Sequence, residues 1–107
     1  MTVSELLNHG FAAVSMPEPD REITGVYVGD LLSWVMGRAH SGDAWITIMS
    51  NENILAVASL ADTACIIAAE GVDMPDSVKS TADAKGINIL SFDGPSYEAA
   101  VRLHGLI

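Results

Sequence analysis

The spacing of apolar residues changes repeatedly along the chain and predicts alternating strands and helices. Runs rich in β-branched and other apolar residues, typical of strands, occupy residues 11–14, 22–28, 44–49, 64–69 and 87–90. Stretches with helical spacing or helix-end signals follow the last four runs, at residues 31–38, 54–61, 76–85 and from Pro95 onward. Because this alternation is typical of parallel sheets, we predict an α/β fold.

The run at residues 64–69, Ala-Cys-Ile-Ile-Ala-Ala, is continuously apolar, as is typical of a strand that is covered on both faces. A chain of 107 residues has the size of one domain. We therefore predict a single three-layer domain over residues 1–107, in which a mainly parallel sheet of about five strands carries helices on both faces.

Residues that cap helices mark three of the predicted boundaries. Asp30 is placed to cap the helix at 31–38, and Gly86 is placed to end the helix at 76–85. The last helix begins at Pro95, a residue that suits the first turn of a helix. It is expected to bury Tyr97, Ala100, Val101 and His104.

The composition excludes two classes of partner. The net charge is −9, from 14 carboxylates against 5 lysines and arginines. Nucleic-acid polymers and anionic membranes are bound through clustered basic side chains, which this sequence lacks. No signal peptide or membrane-spanning segment is apparent. The one cysteine, Cys65, lies inside an apolar run and is expected to be a buried residue. Together these features predict a cytoplasmic protein that binds neither nucleic acid nor membrane.

The stretch from Asp20 to Met36 carries the most informative motif. It reads D-R-E-I-T-G-V-Y-V-G-D-L-L-S-W-V-M and resembles the signature region of the DRTGG domain family. The resemblance continues through residues 42–57, 86–90 and 98–100, and so covers nearly the whole chain. The family letters map onto dispersed residues of the stretch: Asp20, Arg21, Thr24, Gly25 and Gly29.

In this family the domain usually accompanies other modules. It lies beside paired CBS domains in regulated pyrophosphatases and in front of some phosphotransacetylases, and it is similar to the amino-terminal domain of HPr kinase/phosphorylase. The resemblance implies an accessory α/β domain, here as a stand-alone copy. An HPr-type kinase also needs a P-loop that ends in Gly-Lys-Ser/Thr, and Lys85-Gly86 has the reverse order. We therefore predict no enzymatic activity and no catalytic residue, with an HPr-kinase-like enzyme as the least favoured alternative.

Four candidate ligand-binding residues follow two of the predicted strands. Ligands of open α/β sheets bind beyond the carboxyl ends of the strands, where helix amino termini offer free amides to an anion. Here those positions hold Gly29 and Asp30 after one strand and Ser50 and Asn51 after the next. This placement predicts a site for a nucleotide or other phosphate ligand. The alternative is that Asp30, Ser50 and Asn51 only cap helices.

Three further candidates come from the motif itself. The guanidinium of Arg21 matches phosphate oxygens in geometry, although a local ion pair with Asp20 or Glu22 is the alternative. Thr24 and Gly25 lie inside a predicted strand. Glycine there indicates a contact point for a ligand or partner, or a bulge against which a neighbouring loop packs.

Metal chemistry is not indicated. His9, His40 and His104 are far apart in the sequence, and no pair of them has the spacing of metal ligands. We therefore predict no metal site and no cofactor.

The helix at 31–38 is the candidate protein interface. It is apolar nearly all round, and such a short helix must be covered on more than one side. Tryptophan is enriched at interface hot spots, so Leu31, Trp34 and Val35 are predicted to contact a second copy. The alternative is a helix enclosed within the monomer.

The favoured function is a non-catalytic regulatory or scaffolding domain, a homodimerisation module that acts with a separate enzyme. A small-molecule sensor for a nucleotide or phosphate is the alternative.

Overall fold

From β2 onward, strands and helices alternate in the computed structural model, which describes residues 1–107 and contains one five-stranded sheet. The strands are β1 (Ala12–Ser15), β2 (Gly25–Val28), β3 (Asp43–Thr47), β4 (Cys65–Ala68) and β5 (Ile89–Ser91). The helices are α1 (Leu32–Arg38), α2 (Asn53–Ala61), α3 (Asp76–Lys85) and α4 (Ser96–His104), preceded by a 3₁₀ helix at Ser4–Asn8. The predicted α/β class and the predicted order of elements are confirmed.

The strands lie side by side in the order β1-β5-β4-β3-β2. The pairs β2–β3, β3–β4 and β4–β5 are parallel, since a helix carries the chain back between each strand and the next. β1 pairs with β5 in the antiparallel direction, and its register shifts between Ala13 and Ser15. The sheet is therefore mixed, with an antiparallel strand at one edge that the sequence pattern did not predict.

Two clusters of buried side chains lie on opposite faces of the sheet, because successive strand residues point to opposite sides. On β3, Ala44 and Ile46 join one cluster together with Leu103 of α4, whereas Trp45 joins the other. The second cluster also takes in the buried residues of α1, α2 and α3: Val35, Ile54, Leu55, Val57, Ala58, Val78 and Ala82. Every residue of β3 and β4 is buried, as the continuous apolar run predicted for β4.

Cys65 is the first residue of β4 and is fully buried. Burial raises the pKa of its thiol to about 12, because the thiolate would lose its hydration. The side chain therefore remains a neutral thiol and serves as a small core residue, as its apolar context predicted.

Helix ends follow the sequence signals where a glycine or proline provides them. α3 spans the predicted residues, and Gly86 after it takes the left-handed conformation with φ of 74°. Pro95 precedes α4 as the N-cap residue. None of the helices is long and apolar enough to cross a membrane.

The face that α4 turns toward the sheet differs from the prediction. Ala99 and Leu103 are fully buried, whereas Tyr97 is 81% exposed and Val101 is 53% exposed. His104 is also exposed, and Ala100 is only partly buried. The prediction was wrong because Ala99 and Leu103, one turn apart, form the contact with the sheet. Tyr97 and Val101 are consequently left on the outer side of the helix.

Candidate functional site

The seven candidate ligand-binding residues lie at opposite ends of the sheet. Gly29 and Asp30 follow β2, and Ser50 and Asn51 lie beyond β3, so these four are at the carboxyl end of the parallel strands. The other three, Arg21, Thr24 and Gly25, precede or begin β2 and lie at the amino end. The structure therefore places the seven candidate residues in two separate groups.

At the carboxyl end, Asp30 binds the end of β3. Its Oδ1 accepts hydrogen bonds from Thr47 Oγ1 at 2.7 Å and from the Ile48 amide at 3.0 Å. The prediction that Asp30 caps the following helix was wrong, because Leu31 is the N-cap residue of α1 and no side chain caps that helix. A carboxylate here occupies the Ile48 amide, which would otherwise be available to an anion.

The remaining residues of this group have structural contacts. Asn51 Oδ1 accepts a hydrogen bond at 3.0 Å from the amide of Asn53, the first residue of α2, although Glu52 is the N-cap residue of that helix. The Gly29 carbonyl accepts a bond of 2.9 Å from the indole of Trp45. Ser50 lies partly buried beside Asn51. Both cavities of the structure lie elsewhere.

At the amino end, Arg21 is held by Asp62, the residue that follows α2. Arg21 Nη1 donates to Asp62 Oδ1 at 3.1 Å, and Nη2 donates to the Asp62 carbonyl at 2.9 Å. Ser41 Oγ donates to the other carboxylate oxygen at 2.5 Å. The local pair of Arg21 with Asp20 or Glu22 is not formed, since the Glu22 carboxylate binds the chain's amino terminus.

Asp62 joins three segments of the chain at this end of the sheet. Its backbone is left-handed, with φ of 57°, and its carbonyl also accepts the Gly42 amide at 2.9 Å. Hydrogen bonds from Ser41 and Arg21, together with the charge of Arg21, lower the pKa of the Asp62 carboxyl. The residues before β2, the turn before β3 and the end of α2 are thereby tied together.

Gly25 allows a close approach between β2 and β3. It is the first residue of β2 and lies opposite Asp43, so it marks neither a strand interior nor a bulge. A Cβ atom at Gly25 would overlap Asp43 Oδ1. The same buried carboxylate accepts the His40 amide at 2.8 Å through its other oxygen. Thr24 packs in a similar way against Gly42, whose φ is 86°.

Sequence reasoning missed Asp62 and Asp43, the two partners of the motif residues. Asp62 gave a weak signal, because it ends a helical pattern at a position where glycine is the commoner residue. Asp43 gave none, since an acidic residue in a turn is ordinarily solvated. The contacts show that Arg21, Thr24 and Gly25 organise the amino end of the sheet.

The structure has two concave regions. A polar cavity of about 190 Å³ at the amino ends of β4 and β5 is lined by Glu18, Arg21, Asp62, Lys85 and Asn88, among others. A second region of about 540 Å³, called here the apolar groove, lies between β2 and α4. Its lining consists of Gly25, Val26, Tyr97, Ala100, Val101, His104 and Ile107. No group of three or more His, Cys, Asp or Glu side chains is arranged to hold a metal ion.

The candidate interface residues on α1 divide between surface and core. Trp34 is 52% exposed, with the Arg38 guanidinium 3.7 Å from its ring centre, and Leu31 is exposed as well. Val35 is fully buried in the second cluster, so its predicted place in an interface was wrong. α2 and the strand residues of the second cluster cover that side of α1 within the monomer, which leaves Leu31 and Trp34 as surface residues.

Comparison with known proteins gives a family and a similar fold. The DRTGG domain model matches residues 13–106. A solved structure of the CBS and DRTGG domains of the regulatory region of Clostridium perfringens pyrophosphatase, complexed with the activator diadenosine tetraphosphate, aligns with a TM-score of 0.71 and 16% identity. The alignment covers 94% of this chain and 44% of that one, and at this identity it shows the fold alone. No curated protein matches the chain.

Gly25→Ala should destabilise the domain. The new Cβ would displace the Asp43 carboxylate and strain its bond to the His40 amide, at a cost of about 1–3 kcal/mol. Gly37→Ala is the matched control, because Gly37 lies in α1 with no atom within 4 Å of an added Cβ. It should stabilise by about 0.5–1 kcal/mol. Urea unfolding measures both, and equal effects of the two variants would contradict the role given to Gly25.

Asp62→Asn should make the domain less sensitive to acid. Because the native pKa of Asp62 is lowered, its stabilising effect is present above the ordinary value of 3.8 and is lost as the pH falls through the native pKa. Asparagine also tolerates the left-handed backbone. The urea midpoint of the wild type should therefore fall more steeply below about pH 4 than that of the variant. Asp73→Asn, in an exposed loop, is the control and should keep the wild-type slope.

Proposed function

The chain belongs to the DRTGG domain family, and from that premise we propose that it is a non-catalytic regulatory or scaffolding domain. It acts with a separate enzyme, as a homodimer, in the cytoplasm, and residues 1–107 work as one unit. The observation that supports this best is that large apolar side chains are exposed on both faces of the sheet, Leu31 and Trp34 at α1 and Tyr97 and Val101 on α4. Exposed apolar surface of this kind on a soluble domain marks contact with another protein.

The similar pyrophosphatase structure supports a regulatory role. There, a domain with this fold belongs to a regulatory region. The present chain aligns with 44% of that structure. We infer that this chain, which corresponds in fold to one part of such a regulatory region, has a regulatory role as well.

A nucleotide or phosphate sensor is the second candidate. It is favoured by one observation, that the similar regulatory region is complexed with diadenosine tetraphosphate. The contacts in this chain favour a sensor less. The Ile48 amide already donates to the Asp30 carboxylate, and Arg21 already donates to Asp62, so both donors have partners other than a phosphate. Calorimetry against adenine nucleotides, diadenosine tetraphosphate and inorganic phosphate tests it. If a ligand gives saturable binding heat and Ser50→Ala or Asn51→Ala removes that heat, the chain is a sensor and the scaffolding proposal is wrong.

The homodimer should be visible by sedimentation at micromolar concentration, and Trp34→Ala should weaken it. A hot-spot tryptophan contributes on the order of 2 kcal/mol or more to association, which is a factor of about 30 in Kd. Leu60→Ala is the control, because Leu60 is a 72% exposed apolar residue on α2. A wild type that remains monomeric at high micromolar concentration would contradict the proposed homodimer. If Trp34→Ala dimerises with unchanged affinity, Trp34 does not contribute to the interface, but the homodimer itself stands.

A further inference from the structure

The two edges of the sheet differ in how they are protected. At the β1 edge the register is irregular between Ala13 and Ser15, and Ser15 Oγ donates to Asp83 of α3 at 2.5 Å. At the β2 edge, residues 25–28 contain no charge, no proline and no bulge. Edge strands ordinarily carry such features because they prevent pairing with another chain. β2 is therefore an edge without these three obstacles to pairing.

The backbone of β2 has free hydrogen-bonding groups at known positions. The Gly29 amide donates to the Ile46 carbonyl of β3 at 3.1 Å. Because the backbone groups of successive strand residues point to alternate sides, Tyr27 also bonds toward β3. Val26 and Val28 then direct their amide and carbonyl groups outward, away from the sheet. An added strand would pair with these two residues.

The sequence of the edge is self-complementary. Residues 25–29 read Gly-Val-Tyr-Val-Gly, which is the same in both directions. If two copies pair antiparallel about a two-fold axis at Tyr27, Val26 lies opposite the partner's Val28 and Gly25 lies opposite the partner's Gly29. Val26 and Val28 are then the hydrogen-bonded pairs, and they are the residues whose backbone groups are free. A two-fold interface requires such a surface, since each copy presents the same residues.

Side chains and charge favour the same arrangement. Val26 and Val28 share the face of the sheet on which α4 packs, and Val28 is 50% exposed. The apolar groove, with Tyr97 and Val101, lies directly beside them. Two chains that each carry a charge of −9 repel one another, so a contact surface without carboxylates is favoured. Residues 25–29 meet that condition.

We propose that two copies of this chain associate through antiparallel pairing of their β2 strands, so that the two five-stranded sheets become one continuous sheet. This rests on the proposed homodimer and adds the β2 edge to its contact surface. The apolar groove of each copy borders the joined strands, where Val28 of one copy approaches the partner's groove.

Lysine substitution tests the surface. Val28→Lys places a charge on the open edge and should raise the dimer Kd at least tenfold in sedimentation equilibrium. Leu60→Lys makes the same change of charge on exposed α2 and should leave Kd within about twofold of the wild type. If Val28→Lys dimerises like the wild type, the proposed β2 contact is wrong while the homodimer stands. If the wild type is a monomer, both are wrong.

Disulfide trapping tests the register and does not depend on the lysine variant. In the proposed pairing the two Tyr27 Cα atoms lie about 4.5 Å apart, within the range of a disulfide. Tyr27→Cys should therefore form a covalent dimer under mild oxidation, because the native Cys65 is buried and cannot compete. Val28→Cys is the control, since residue 28 lies opposite residue 26 of the other copy, and it should not cross-link. Cross-linking of Val28→Cys but not of Tyr27→Cys would overturn the proposed register.

Discussion

Burial of β3 and β4 on both faces is the constraint on which the rest of this structure depends. Every residue of these strands is buried, and each face of the sheet carries its own cluster of buried side chains. The α1–α3 side and the α4 side contribute separate clusters, with Trp45 and Ile46 pointing to opposite sides. Side chains cover both faces of the sheet, and the backbone amides and carbonyls that lack a neighbouring strand lie at its two edges, β1 and β2. The proposed function is located at the edge that lacks protection.

The contacts of the motif residues Arg21 and Gly25 are structural, so the functional surface is expected elsewhere on the molecule. Arg21 holds Asp62, and Gly25 makes room for the buried carboxylate of Asp43. These contacts fix the start of β2 against β3 and the end of α2. A family signature in this chain therefore describes how the amino end of the sheet is assembled. The interacting surface that we propose lies beside it, on the outer edge of the strand that the motif positions.

The sequence was informative where a single local rule decides the outcome. The limits of α3 were predictable because Pro75 and Gly86 bracket it, and β4 was predictable because its apolar run is unbroken. The antiparallel direction of β1 was not predictable, since it depends on the pairing of β1 with β5, a strand that comes much later in the chain. The inward face of α4 was missed because Tyr97 and Val101 suggest a core stripe more strongly than Ala99 does.

The candidate site illustrates a different limit. A carboxylate such as Asp30 is compatible with a helix cap and with a bond to a neighbouring strand, and only the packing decides between them. Likewise, Arg21 and Asp62 are 41 residues apart, so no local pattern could pair them. The palindrome at residues 25–29 was visible in the sequence, but it had no meaning until β2 was known to lie at an edge.

Residue-resolved amide exchange by NMR tests the central claim most directly, because it reports on the edge itself. In the monomer, the outward amides of Val26 and Val28 have no partner and should exchange quickly, whereas the Tyr27 amide, bonded toward β3, should be protected. As the protein concentration rises through the dimer Kd, Val26 and Val28 should become protected and Tyr27 should change little. Fast exchange of Val26 and Val28 in a sample that sediments as a dimer would contradict the account.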